Sequence, residues 1–464
     1  MTDPLPVESR AGADPLAAVP LHGGPHPEEP ERPSGRGWRR RLAAARLDVR
    51  PLRDSRDFRL LFAGGSVSFI GSMVTFVAVP YQVYALTGST VAVGLLGAAE
   101  LVPLVAFGLY GGALADAVDR RRMVLLTEIA FTVVSALLML NALLAHPLVW
   151  PLYVAAGVVA ALDGLQRPSL DALIPRIVAH DQQPAAAALS SLRMNIGTIL
   201  GPALGGLLVA TWGAASAYAV DLVSFAASLL ALWLMKAVPP PSGAESPSLR
   251  GILDGLRYAW SRQELLGTYV VDMAAMAFAM PIALFPAVAE KVLQEPWTLG
   301  LLYSAGSVGS LLATVTSGWT SHVHHHGRAV VWAAAAWGFF IALFGLVSDV
   351  WLALLLLALA GAADMVSGLF RSTMWNQTIP DELRGRLAGI ELLSYSTGPL
   401  LGQARAGGVA AVWTLRGSIV SGGLLCVGSV GLLAAALPRF RHYDDRTNEH
   451  AVARRAALTD SDAA

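Results

Sequence analysis

Between Phe58 and Pro438 the apolar residues gather into twelve runs divided by short polar breaks. Each run has about the 20 residues that a helix rising 1.5 Å per residue needs to cross a bilayer. The predicted membrane helices lie at approximately 58 to 86, 90 to 114, 123 to 145, 150 to 174, 185 to 211, 214 to 236, 264 to 290, 298 to 320, 328 to 348, 351 to 375, 387 to 412 and 416 to 437. The breaks alternate in charge. Arg120, Arg121 and Arg122 follow the second run, Arg176 the fourth, Lys236, Arg250, Arg257 and Arg262 the sixth, and Arg384 and Arg386 the tenth. The breaks on the other face hold only Lys291 and Arg416. Lys and Arg favour the cytoplasmic side, so the first set and both Arg-rich tails are expected inside, which an even number of crossings permits.

Composition sharpens this picture. Charged residues make up 14% of the 464, against about 25% in soluble domains. The zero net charge hides the alternation and says nothing about partners. Cys426 is the one cysteine, which excludes intrachain disulfides and thiolate metal sites. Residues 1–57 hold nine prolines and many charges without a periodic apolar run, the composition of a disordered, basic cytoplasmic tail. Arg39-Arg40-Arg41 is followed by further charges instead of an apolar stretch, so no cleavable signal is expected.

The connection over 237–263 opens on Pro239-Pro240-Pro241 and divides the chain into bundles at 58–236 and 264–438, with a second cytoplasmic tail at 439–464. Within the connection Leu249, Ile252, Leu253, Leu256 and Trp260 recur at helical spacing, which predicts a short amphipathic helix at the cytoplasmic interface. The halves repeat one another. Gly94-Leu95-Leu96 precedes Gly112 by the interval at which Gly300-Leu301-Leu302 precedes Gly318, and Gly201-Pro202-Ala203-Leu204-Gly205 returns as Gly398-Pro399-Leu400-Leu401-Gly402. The fold class is therefore an all-α membrane protein of twelve transmembrane helices, in two six-helix bundles related by a pseudo-two-fold axis along the membrane normal.

The break after the second run reads Gly112-Ala113-Leu114-Ala115-Asp116-Ala117-Val118-Asp119-Arg120-Arg121-Arg122. It resembles the signature loop of the major facilitator superfamily, with Asp119 in place of a glycine. From Phe58 to about Phe440 the chain is most similar to the enterobactin-exporter branch, through Val77-Ala78-Val79-Pro80, Thr87-Gly88-Ser89-Thr90 and Leu253-Asp254-Gly255-Leu256-Arg257-Tyr258. The resemblance implies a secondary transporter in the inner or plasma membrane, in which Gly112, Asp116, Arg120 and Arg121 form a cytoplasmic gate. The second copy of the loop, from Gly318 to Arg328, is degenerate, and the superfamily's proton motif of the fourth span is not recognisable.

A charge at mid-membrane costs about 2.5 to 3.5 kcal/mol on insertion scales and normally faces a cavity or a partner. The acids so placed are Glu100, Asp163, Asp221, Asp272 and Asp364; the bases are Arg167, Arg193, Arg371 and Arg405. Asp163 and Arg167 are four apart and are expected to pair. The resemblance places spans 1, 4, 7 and 10 around a central cavity, which favours Asp163, Asp272 and Asp364 for contact with protons or substrate. Asp364 stands without an opposite charge one turn away. Glu100 and Asp221, on spans that more often face lipid or the other half, lean towards structural roles. Gly197, Gly201 and Gly205 leave a smooth helix face for close packing. With Pro202 and Gly206 they resemble the superfamily's antiporter signature and point to export. His322, His324, His325 and His326 have neither Cys nor acid near them in sequence, and are expected to form a solvated flexible loop without metal.

Together these features describe a monomeric exporter of a small organic molecule, siderophore or drug-like, working by alternating access with proton antiport. A broad multidrug exporter and a non-transporting receptor or scaffold are the alternatives. No nucleotide-binding loop, no assembled nucleophile and base, no cofactor and no nucleic-acid partner are expected.

Overall fold

The computed structural model of the protein describes residues 48–117, 119–236, 257–379 and 381–462. Twelve long helices dominate: α1 (Arg56–Thr87), α2 (Thr90–Ala117), α3 (Arg120–Ala142), α4 (Trp150–Ile177), α5 (Gln183–Trp212), α6 (Ala214–Leu234), α7 (Gln263–Ala279), α8 (Leu299–Val315), α9 (His326–Phe344), α10 (Val350–Thr378), α11 (Asp381–Val412) and α12 (Leu415–Ala436). No strand occurs among the described residues. Among the described residues, ten helical segments are long and apolar enough to cross a membrane. α4 and α11 are not in that set, since both are rich in polar and small residues.

Contacts between helices carry the internal symmetry. In the first half α2 packs on α4, α1 on α5 and α6, and α3 on α4 and α6. Adding six to each label gives the second half: α8 on α10, α7 on α11 and α12, and α9 on α10 and α12. The halves meet at two crossings that the same operation exchanges, α2 with α11 and α5 with α8.

Small residues make these crossings possible. A Cβ on Gly206 would lie 2.2 Å from the backbone nitrogen of Gly300, and a Cβ on Gly97 2.6 Å from the Leu400 carbonyl. Both crossings lie near the helix ends remote from the Arg-rich connections. Without a hydrophobic force between helices in lipid, such backbone proximity is what holds them together.

α7 departs from the expected run of 264 to 290. It ends at Ala279, and the chain continues to Val292 in short turns. Met280 is extended, with ψ of 111°, because Pro281 disfavours helical geometry in the residue before it. Arg405 meets the broken end, donating to the Phe278 carbonyl at 2.7 Å and to Ser421 Oγ at 3.0 Å. Its role is therefore a brace for a helix end that has lost its own bonds.

The tails also differ from expectation. Residues 1–47 lie outside the described residues, but Arg50–Asp54 is a short helix and Ser55 caps α1, its Oγ accepting from Phe58 N at 3.1 Å. Most of the expected interfacial helix, through Leu256, lies outside the described residues. At the C-terminal end Pro438–Arg441 and Glu449–Asp462 are helical. Tyr443 is buried and donates to Gln377 Oε1 at 3.0 Å, while Arg454 reaches the Ile379 carbonyl at 2.6 Å.

This docked segment corrects the expectation of a solvated histidine loop. His324 Nδ1 lies 3.0 Å from Asp445 Oδ1, and His325 Nδ1 lies 3.2 Å from Asp444 Oδ2. His326 is buried against Phe370 and Tyr443. The acids come from far along the chain, so inspection of the loop alone missed them. No cluster suited to a metal occurs among the described residues.

Candidate functional site

A cavity of about 270 Å³ runs through the interior of the first half, between α1, α3, α4 and α6. Ile282 and Gln403 are the second half's contributions to its wall. The resemblance implied a central cavity lined by spans 1, 4, 7 and 10; the lining of this cavity comes largely from the first half. Its lining is mainly apolar, including Phe69, Met73, Phe76, Phe131 and Phe225.

Against this wall stand Glu100, Glu128, Asp163, Asp221, Gln166 and Arg193. Asp221 on α6 is held from two other helices at once. Its Oδ2 accepts from Thr75 Oγ1 on α1 at 2.8 Å and from Ser135 Oγ on α3 at 2.6 Å. Gly71 makes room for it on α1, since a Cβ there would come 2.9 Å from Asp221 Oδ1. Gln166 on α4 donates to Thr127 Oγ1 at 3.0 Å and to Glu128 Oε1 at 3.4 Å, linking α4 to α3. Arg193 on α5 lies over Gly65, whose missing side chain lets the guanidinium reach the space beside α1. Glu100 and Asp221 thus face the cavity, where sequence position argued for lipid or structural surroundings.

Glu128 was not among the sequence candidates. It sits one and a half turns after the Arg triplet, where an acid reads as part of a membrane interface; α3 instead carries it inward to 7% exposure. Asp119 was likewise taken only as a departure from the signature. It caps α3, its Oδ1 accepting from Arg122 N at 3.0 Å.

The remaining candidates form a second group. Arg371 on α10 lies 2.8 Å from Asp272 on α7 and 4.0 Å from Asp364, two turns back on its own helix. Asp364 therefore does have a cation nearby, beyond the single turn that sequence spacing considered. It stands thirteen residues after Trp351, as Asp163 stands thirteen after Trp150, so the two acids occupy matching places in the repeat.

Asp163 and Arg167 form no salt bridge, contrary to expectation. Both residues are exposed, and solvent around them weakens their attraction. Arg167 instead lies over the ring of Tyr395 on α11, 5.7 Å from its centroid, a cation–π contact between the halves.

At the signature loop, Arg121 donates through Nε to the Leu232 carbonyl and through its guanidinium to the Trp233 carbonyl, each at 2.8 Å. It caps the C-terminal end of α6, which a cation suits on both hydrogen-bonding and dipole grounds. Arg120 is buried at 8% exposure. Gly112 and Asp116 fall in the last turns of α2, and their surroundings lie outside the described residues. On α5, Gly197, Gly201 and Gly205 face Phe69, Met73 and Val74 of α1, while Pro202 and Gly206 face Gly300 of α8.

Comparison with known proteins places this architecture. The family model for transmembrane secretion effectors matches residues 48–461. Enterobactin exporter EntS of Shigella boydii serotype 18 is 31% identical over 403 residues, covering 85% of this chain and 96% of that protein. The protein of the same name from Escherichia coli O9:H4 is 30% identical over 404 residues, covering 86% and 95%. Among solved structures the nucleoside transporter NupG superposes with a TM-score of 0.66 at 13% identity, over 84% of this chain and 100% of its own. A bacterial homologue of the iron transporter ferroportin, in an inward-facing state, gives 0.61 at 14%, over 83% and 98%. At such identities these structures speak for the fold alone. With its repeated bundles, its paired crossings and its match along nearly the whole described length, the chain belongs to the transmembrane secretion effector family of major facilitator transporters.

Proposed function

We propose that the chain exports a small organic molecule from the cytoplasm by alternating access, driven by proton entry. The observation that carries the reading is the placement of the crossings. Both sit at one end of the molecule, at Gly206 on Gly300 and at Gly97 on Leu400, so that end is closed while the polar space lies below it. Rocking the halves about these crossings exposes the cavity first to one side and then to the other. In this reading all twelve helices span the plasma or inner membrane, and the Arg-rich connections and both termini face the cytoplasm. It is a transporter and not an enzyme, and the working unit is the monomer.

Carboxylates inside a membrane suit proton coupling. One proton moving inward supplies about 2.3 kcal/mol per 100 mV and about 1.4 kcal/mol per pH unit, enough to sustain at least a hundredfold gradient. Asp163, Asp272 and Asp364 are the proposed coupling acids, with Glu100, Arg193 and Arg371 beside them. The relatives' names make a siderophore the first substrate to try, and the apolar lining supports a broader drug exporter as the second reading. The test is accumulation of siderophores and drugs by inverted vesicles, with and without a proton gradient. Gradient-dependent accumulation is expected; accumulation that ignores the gradient removes antiport, and no accumulation of any compound favours a receptor.

A further inference from the structure

We infer that the C-terminal segment from Phe440 to Arg455 is an autoinhibitory clamp on the end of α10, and that its release limits the rate of transport, an inference that rests on the exporter reading. The internal repeat supplies the frame. Ser55, the residue before α1, donates to the Ile177 carbonyl at 2.7 Å, and Arg262, the residue before α7, donates to the Thr378 carbonyl at 3.1 Å. Ile177 follows Asp163 by fourteen residues, as Thr378 follows Asp364. Each half therefore clasps the end of its acid-bearing helix at the same place.

In the second half the tail closes over this clasp. Tyr443 donates to Gln377 Oε1 at 3.0 Å and Arg454 to the Ile379 carbonyl at 2.6 Å, so three consecutive residues at the end of α10 are gripped from outside the helix. The same segment reaches α7. Glu264, which accepts from the Arg262 guanidinium at 2.7 Å, also meets His450 Nε2 at 3.8 Å, and the Phe440 ring packs where Gly267 lacks a side chain. The tail thus ties the start of α7 to the end of α10, the two helices that carry Asp272 and Arg371. Asp272 is only 4% exposed at its side chain, so Arg371 must withdraw before anything else can reach it. A shift of α10 against α7 withdraws it, and a tie between their ends resists that shift. The tie itself opens easily: it consists of single hydrogen bonds and of the His324–Asp445 and His325–Asp444 pairs, weak one by one in water. Local release of such a segment is far cheaper than unfolding a bundle.

Two opposite manipulations of the full chain test the clamp, read as maximal accumulation rates of enterobactin and of ethidium in inverted vesicles. Arg454→Ala and Tyr443→Phe each remove one tie. Amide exchange over residues 371–379 and the maximal rate should both rise about two- to fivefold, the worth of one hydrogen bond, at an unchanged half-saturating concentration. Arg454→Lys, which keeps a donor for the Ile379 carbonyl, should return both towards the parent. For the reverse, His324→Cys and Asp445→Cys lie where the Asp445 backbone donates to the His324 carbonyl at 3.3 Å, and can be oxidised to a disulfide in a Cys426→Ala background. Transport should fall severalfold on oxidation and recover on reduction, which in one and the same protein rules out misfolding. A segment of purely structural use would lower transport when loosened and leave it alone when locked; either result overturns the clamp. If the parent accumulates neither compound, the exporter reading is what fails, and exchange over residues 371–379 then decides the grip on α10: faster exchange in Arg454→Ala upholds it and unchanged exchange overturns it.

Discussion

Arg371 and Asp272 join α10 to α7 at 2.8 Å, with Asp272 only 4% exposed at its side chain. The carboxylate's other oxygen has no hydrogen-bond partner among the described residues, so this guanidinium is the group that holds the buried charge. Arg371→Ala should lower stability by about 3 to 5 kcal/mol, because it strands that charge. Replacing both members, as Asp272→Asn with Arg371→Met, should recover a large part of the loss. Thermal unfolding in detergent checks both variants; equal destabilisation by the single and double changes would show that the pair is not the reason.

Arg121 ties α3 to the last carbonyls of α6. Arg121→Ala should cost about 1 to 2 kcal/mol of stability, from two charge-assisted bonds at a helix C-terminus that is partly exposed. The same unfolding measurement reads it, and an unchanged midpoint would argue against the cap.

A side chain at Gly300 meets the Pro202 carbonyl at 2.4 Å and would wedge α8 away from α5. Gly300→Leu should therefore cut export at least tenfold while leaving each bundle folded. Transport normalised to protein recovered in monodisperse form distinguishes this from simple loss of expression.

The C-terminal segment is pinned by His324 to Asp445 and by His325 to Asp444. Such half-exposed pairs contribute at most about 1 kcal/mol each. Asp444→Asn with Asp445→Asn should leave global stability nearly unchanged but speed amide exchange over residues 443–455, as measured by mass spectrometry. No change in exchange would mean that Tyr443 and Arg454 hold the segment by themselves.

Much of this architecture was legible in the chain. Apolar runs and alternating Arg placement predict the bundles because lipid penalises every exception, and for the same reason Glu100, Asp163, Asp272 and Asp364 stand out singly. Pairings were not legible. Arg167 finds Tyr395 on a helix of the other half, and Asp221 takes bonds from α1 and α3 together, relationships that no spacing along one helix encodes. Glu128 escaped because a charge close to an Arg triplet is cheap at an interface; only the depth of α3 shows that it is not there. The break in α7 was written in Pro281 and Pro286, yet two prolines inside an apolar run are also common in unbroken membrane helices.

The central claim is that the halves part at the closed end during export. Lys291 lies over the Tyr84 ring at that end, 5.5 Å from its centroid, one residue from each half. With Cys426→Ala as background, Tyr84→Cys and Lys291→Cys can be joined by a short bismaleimide, and each single variant treated alike serves as control. The account predicts that export into inverted vesicles stops when the two are joined and continues in both controls; full export with the cross-link complete would contradict it.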